Sequence, residues 1–192
     1  MKAAEITFEL LSYWHAGSGM GEGANLDAVV IKTPAGLPYI PGKTVKGLIR
    51  EAFQTLADLK RGGVDDKLVE DLFGMPGGRF DSSPGQLAFT DATLGASWEA
   101  WAADNAGDRD LLLRKISSTS LEESGVAKQD TLRSIEVVIP LTLKARVEPW
   151  CADIRGEWLA KLELAKTIIR HVGSHRHRGL GRVRVGIMEV ER

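Results

Sequence analysis

Six apolar residues, Val45, Leu48, Ile49, Ala52, Phe53 and Leu56, recur at the spacing of one helical face and constrain the fold more than any other feature. A helix with one greasy stripe must lay it on another apolar surface. The flanking sequence supplies strands for that purpose. "AAEITFELL" alternates Ile6, Phe8 and Leu10 with polar neighbours, and "RVRVGIMEV" alternates Val183, Val185 and Ile187. Further strands are expected in "LDAVVIKT", in "QLAFTDATL", and in "IEVVIPLTLKARV", where Pro140 implies an edge or bulge. A second short helix is expected over Asp65–Phe73 and a last one over Gly156–Val172, with "GMPGGRFDSSPG" as a turn-rich link. Residues 116–133 are polar and read as a protruding loop or hairpin. Stripped of insertions, the order is that of an α+β, ferredoxin-like (RRM-like) domain.

At 192 residues the chain can bury one core without staples, and Cys151, its single cysteine, excludes an internal disulfide or a cysteine-based zinc site. The net charge of −1 argues against a free-standing nucleic-acid binder held by bulk charge, but leaves room for a locally basic groove. With no visible signal peptide and no membrane-length apolar run, a cytoplasmic location is expected. The five tryptophans, Trp14, Trp98, Trp101, Trp150 and Trp158, read as core or interface residues rather than base-stacking platforms.

The stripe opens with Pro41-Gly42-Lys43-Thr44, which looks like the end of a phosphate loop. The full motif requires a glycine where Leu37 stands, and Pro38 and Pro41 remove backbone donors, so nucleotide hydrolysis is a minor alternative. A helix start with Thr44 as N-cap, and with Lys43, Lys46 and Arg50 beside the stripe, suits either a solvated face or a nucleic-acid backbone. A second basic cluster, "HRHRGLGRVRV", interleaves His175, Arg176, Arg178 and Arg182 with Gly179 and Gly181. Guanidiniums fork onto phosphates, and closely spaced glycines permit close backbone approach. The arginines count against a metal held by His171, His175 and His177. Between the two clusters in interest, though first in the chain, lies a Gly-rich loop with His15 at one end and Asp27 at the other. By itself Asp27 reads as a turn or cap residue; as a functional group it would bind a metal or orient a hydroxyl.

Taken together, Asp27-Ala28-Val29-Val30-Ile31-Lys32, Pro41-Gly42-Lys43-Thr44-Val45-Lys46-Gly47, Leu72-Phe73-Gly74 and Arg178-Gly179-Leu180-Gly181-Arg182-Val183 resemble the RAMP superfamily of CRISPR effector proteins, most closely the repeated backbone subunit of type III complexes. The resemblance implies one domain over residues 1–192, with a lid-like or helical insertion at about 75–115, a β-hairpin thumb at about 116–138 and a Gly-rich C-terminal loop. It also implies binding of guide RNA through Lys43, Thr44, Lys46, Arg50, His175, Arg176, Arg178, Gly179, Gly181 and Arg182. Expected partners are target RNA, other effector subunits and copies of the chain itself, with no membrane. Asp27 would cleave target RNA at flipped nucleotides with a divalent ion, magnesium being the first expectation. Two relatives of this reading are a non-catalytic RNA-binding subunit and a guide-processing endoribonuclease using His15 as acid or base.

Overall fold

A computed structural model describes residues 2–22, 26–75, 83–129, 131–151, 154 and 157–191. Strand β1 (Lys2–Leu10) follows the expected alternation: Ile6, Phe8 and Leu10 are buried, while Glu5, Thr7 and Glu9 are half-exposed. It pairs antiparallel with β5 (Thr142–Pro149) on one side and β6 (Val183–Glu191) on the other, so that Phe8 lies opposite both Leu143 and Val185. A short β2 (Leu87–Phe89) extends the sheet, giving the order β2-β5-β1-β6 with every neighbouring pair antiparallel.

Helix α1 (Gly42–Asp58) connects β1 to β2, and α4 (Trp158–Ala165) connects β5 to β6. The apolar stripe of α1 is buried: Val45, Ile49, Ala52, Phe53 and Leu56 join Ile6, Phe8, Leu143 and Leu162 in one core. Helix α2 (Asp66–Phe73) closes the far end, where Phe73 meets Phe53 edge-on at 5.1 Å and stacks near Phe89 at 6.0 Å. The Asp65 carboxylate accepts from the Leu68 N–H and caps this helix. The opposite face of the sheet carries charges that neutralise one another, with Lys144 on Glu5 and Arg184 on Glu9, each at 2.8 Å.

A separate two-stranded sheet is formed by β3 (Leu113–Ser118) and β4 (Arg133–Val138). Helix α3 (Ala96–Asp104) and the 3-10 segment Ala106–Leu112 lead into it. A smaller core of Leu37, Ala102 and Leu112, with Trp98 and Trp101 packed on it, holds that region. Among the tryptophans, Trp14 and Trp158 are core residues, whereas Trp150 is more than half exposed. No described helix is long and apolar enough to cross a membrane.

Four sequence expectations change. "LDAVVIKT" is not a continuous strand, because its residues bridge in alternation to the 16–22 stretch on one side and to β4 on the other. Asp27 N–H donates to Ser134, Val29 to Met20, Ile31 to Ala16, and Val30 to the Glu136 carboxylate. "IEVVIPLTLKARV" is two strands, since Pro140 lacks an N–H and the chain passes there from the hairpin to the main sheet. The last helix stops at Ala165, well before Val172. Beyond it a β-branched run, Thr167-Ile168-Ile169, tightens into i−3 bonds, and the backbone of Arg170 and Val172 is claimed by Val183 and Gly181. Thr44 is not an N-cap: Pro41 holds that position, and Thr44 lies inside the helix with its N–H on the Pro41 carbonyl. The Gly156 helix start, Gly23 of the Gly-rich loop and residues 76–82 of the turn-rich link lie outside the described residues.

Candidate nucleic-acid interface

Residues 11–22 and 26–32, between β1 and α1, are laid against the hairpin and then covered by the C-terminal glycine loop. Their anchor is Glu136 on β4. One carboxylate oxygen of Glu136 accepts from the Val30 N–H at 2.9 Å and the other from Lys32 Nζ at 3.0 Å. The Glu136 carbonyl accepts from His15 Nδ1 at 2.6 Å. His15 is buried, and that bond leaves the lone pair of its neutral form on Nε2. The glycine loop then closes over this segment. Ser174 N–H donates to the His15 carbonyl and Gly181 N–H to the Tyr13 carbonyl.

Glycine is required at 173 and 181 by this packing. Both residues have positive φ, and a Cβ would strike the His15 carbonyl at 173 and the Val172 carbonyl at 181. Close approach of backbone to backbone is by itself enough to require these two glycines. Gly179 is different, having positive φ and open space where a side chain would go.

Two clefts flank the loop. The first, about 460 Å³, brings together His15–Ser18, the start of α1 (Pro41, Lys43, Thr44, Gly47, Glu51) and Gly173, Ser174 and Arg176. Three segments far apart in sequence thus meet at one surface. The α1 N-terminus is less open than its sequence suggests, because Gly42 N–H donates to the Asp91 carboxylate at 2.6 Å. A Cβ at Gly42 would also sit 2.7 Å from the Phe89 carbonyl oxygen, so helix–strand packing requires this glycine. Lys43 remains exposed beside the cleft with no described partner, whereas Arg176 lies 3.5 Å from Glu51. Lys46 and Arg50 are half-buried on α1 and line neither cleft; Arg182 is exposed at the foot of β6, its N–H held by Ser12 Oγ.

The second cleft, about 400 Å³, lies at the base of the hairpin and is lined by Asp27, Ile116, Ser118, Arg133, His175 and Arg178, among others. Asp27 is fixed there by a two-way tie: its N–H donates to the Ser134 carbonyl, and its Oδ2 accepts from Ser134 N–H at 2.7 Å. Its other oxygen has no described partner, and the residue is exposed. His175 is a non-glycine in the left-handed region, φ 59°, with Nδ1 2.9 Å from Ser174 Oγ and its ring edge-on to His15 at 6.2 Å. Burial, then the charges of His15 and Arg178, push its pKa below the usual histidine value.

Among the described residues no three of His, Cys, Asp and Glu come together to hold a metal ion. The second cleft therefore does not fit a resident, protein-caged cation, and Arg133 and Arg178 oppose one. A single free carboxylate oxygen fits the other mode of magnesium binding, in which one carboxylate joins substrate phosphates and waters.

Several functional contributors escape sequence reasoning. Asp91 is 49 positions from the N–H that it caps, and nothing local marks it. Glu136 does carry a signal, as a lone acid inside the apolar run Ile135-Val137-Val138. Arg133 reaches the second cleft only because β4 pairs with β3.

No curated protein matches the chain. Among solved structures, a chain of the type III-B Cmr-beta complex in its apo state superposes with a TM-score of 0.71 at 12% identity, covering 97% of each chain. A chain of the type III-B Cmr-beta complex bound to cognate target RNA gives 0.70 at 11% identity, covering 96% of each. At such identity the likeness establishes a shared fold. The family model of the RAMP superfamily matches residues 7–184, nearly the whole chain, and the protein belongs to that superfamily.

Proposed function

We propose that this chain is an RNA-binding subunit of a type III CRISPR effector complex and that the first cleft grips guide RNA. The observation that carries the reading is the convergence of Lys43 and Thr44 on α1, the His15–Ser18 segment and the 173–176 loop around one cleft. Membership of the RAMP superfamily and a fold shared with Cmr-beta chains support it. The solved relative includes a complex with cognate target RNA, which makes target RNA and neighbouring effector subunits the natural partners. In this reading the β2-β5-β1-β6 sheet with α1 and α4 is the ferredoxin-like core, β3–β4 is the thumb, and copies of the chain stack along one guide. Contacts are to the backbone, so any guide sequence is accepted. The work is that of antiviral defence in the cytoplasm.

Within the same proposal, Asp27 supports cleavage of target RNA in the second cleft. With a bound hydrated magnesium ion, the group would neutralise charge on the scissile phosphate. The chain's own part is positional. The Ser134 tie holds one Asp27 oxygen toward the protein and leaves the other toward the cleft, while Arg133 and Arg178 attract the RNA strand. The thumb keeps a nucleotide out of the stack so that its 2′-hydroxyl can align with the adjacent phosphate.

The tie to Ser134 also favours a second reading, in which Asp27 is a structural fastener and the subunit does not cleave. Asp27→Asn separates the two, because its amide can keep the acceptor for Ser134 N–H while losing the charge. Cleavage of target by the assembled complex is expected to fall by at least about a hundredfold with guide binding intact. Undiminished cleavage would leave the structural reading standing.

A further inference from the structure

A third cleft, about 520 Å³, adjoins the first and shares Leu48, Glu51 and Arg176 with it. It runs between the outer side of α1 and residues 168–177. Its floor is aliphatic, made of Leu48, Ala52, Ile168 and Ile169, and Ala52 and Ile169 are buried. Its rim carries Arg170 and His177, and neither side chain has a hydrogen bond or ion pair to any described residue. The rim is not a loose loop. Val183 N–H donates to the Arg170 carbonyl and Val172 N–H to Gly181, so the backbone that bears Arg170 is stitched to the start of β6.

We infer that this cleft is a nucleoside subsite, which takes one base of an RNA whose phosphates lie in the first cleft. The inference rests on the RNA-binding reading above and adds a base to it. A volume of this size falls within the range of about 300–1,000 Å³ typical of small-molecule sites. An aliphatic floor accepts the flat face of a base, which a phosphate would not. An unpartnered guanidinium at the rim stacks on a ring or donates to base oxygens. Glu51, the carboxylate at the junction of the two clefts, would be out of place against phosphates alone. It accepts from a base N–H or a ribose 2′-hydroxyl, and its contact with Arg176 holds it ready. The rival occupant, an acidic segment of a partner protein, would use Arg170 and His177 but would be repelled by Glu51.

The test compares a fluorescein-labelled oligouridine with an abasic ribose-phosphate oligomer of the same length, by anisotropy on the purified chain. Wild type is expected to bind the oligouridine about ten-fold more tightly. In Arg170→Ala/His177→Ala that ratio is expected to fall toward one, while the affinity for the abasic oligomer changes little. Lys43→Ala is the control and weakens both oligomers alike. Equal binding of the two oligomers by wild type overturns the base subsite and leaves the phosphate cleft intact. A ratio unchanged in the double variant also overturns it, since the base would then be bound elsewhere. Failure to bind either oligomer overturns the RNA reading itself. Competition by a polyglutamate peptide that is lost in the double variant would assign the cleft to a protein instead.

Discussion

At the scale of single residues, charge and hydrogen-bond geometry separate side chains that share a motif. Gly42 and Lys43 stand side by side, yet Gly42 is committed to Asp91 and packed on Phe89, and Lys43 faces the cleft. Asp91 substitutes for the cap that Pro41 cannot provide from its side chain. Replacing it with alanine leaves an orphan N–H at the start of the longest helix. Asp91→Ala is expected to cost about 1 kcal/mol of stability, measured by urea unfolding.

His175 makes a second expectation at this scale. Its pKa in the free protein is lowered, chiefly by burial, then by His15 and Arg178. Phosphates in the cleft would raise it again by favouring the imidazolium. The RNA-bound form then holds more protons than the free form, so RNA affinity rises as the pH falls toward the lowered value of the free protein. The rise should be absent in His175→Gln. For stability alone the sign is opposite. The unfolded chain, with the higher pKa, takes up its proton first, so the folded form loses stability as pH drops from the ordinary histidine value to the lowered one.

At the scale of elements, the hairpin and residues 11–22 and 26–32 behave as one unit because Glu136 and Asp27 fasten them in opposite directions. Glu136→Ala would leave the buried Val30 N–H without its acceptor and Lys32 without its partner. A loss of about 1–3 kcal/mol is expected. Amide exchange should locate it, with protection at Val30 falling before protection in α1. Sequence pattern reached these elements unevenly. The stripe of α1 and the alternation of β1 and β6 were legible because each element buries one face and its period repeats. The segment "LDAVVIKT" has strand-like composition, yet its donors are distributed among Met20, Ala16, Ser134 and Glu136. Periodicity cannot foresee bridges that alternate between two neighbours, the 16–22 stretch and β4. Likewise the apolar run through Val138, Pro140 and Leu143 reads as continuous, because burial on two different sheets leaves the same pattern as burial on one.

At the scale of the whole molecule, a net charge of −1 coexists with basic clefts because charge is unevenly distributed, with acids such as Asp104, Asp108, Asp110, Glu122 and Glu123 exposed away from the clefts. Binding by a few phosphate contacts should be weak for one chain and strongly salt-dependent. The slope of log affinity against log salt is expected to become shallower by about one contact in Lys43→Ala and by about two in Lys43→Ala/Arg178→Ala, equally for unrelated RNA sequences. An unchanged slope, read from RNA binding at several salt concentrations, would remove these two residues from the phosphate path. Repetition of the chain along one RNA would multiply such modest contacts into stable assembly.

By itself the sequence determined the layered α+β architecture and the membership of the family, since apolar periodicity and the two glycine motifs are local in the chain. It also marked the basic loop and Asp27 as residues of interest. What each of those residues does was decided by tertiary structure. Gly173 and Gly181 serve backbone packing, Gly42 is held by Asp91, Asp27 is tied to Ser134, and Lys43 meets Arg176 across a cleft. Most of these facts join segments tens of residues apart, and the hydrogen bonds and close backbone packing behind them leave no periodic trace in either segment.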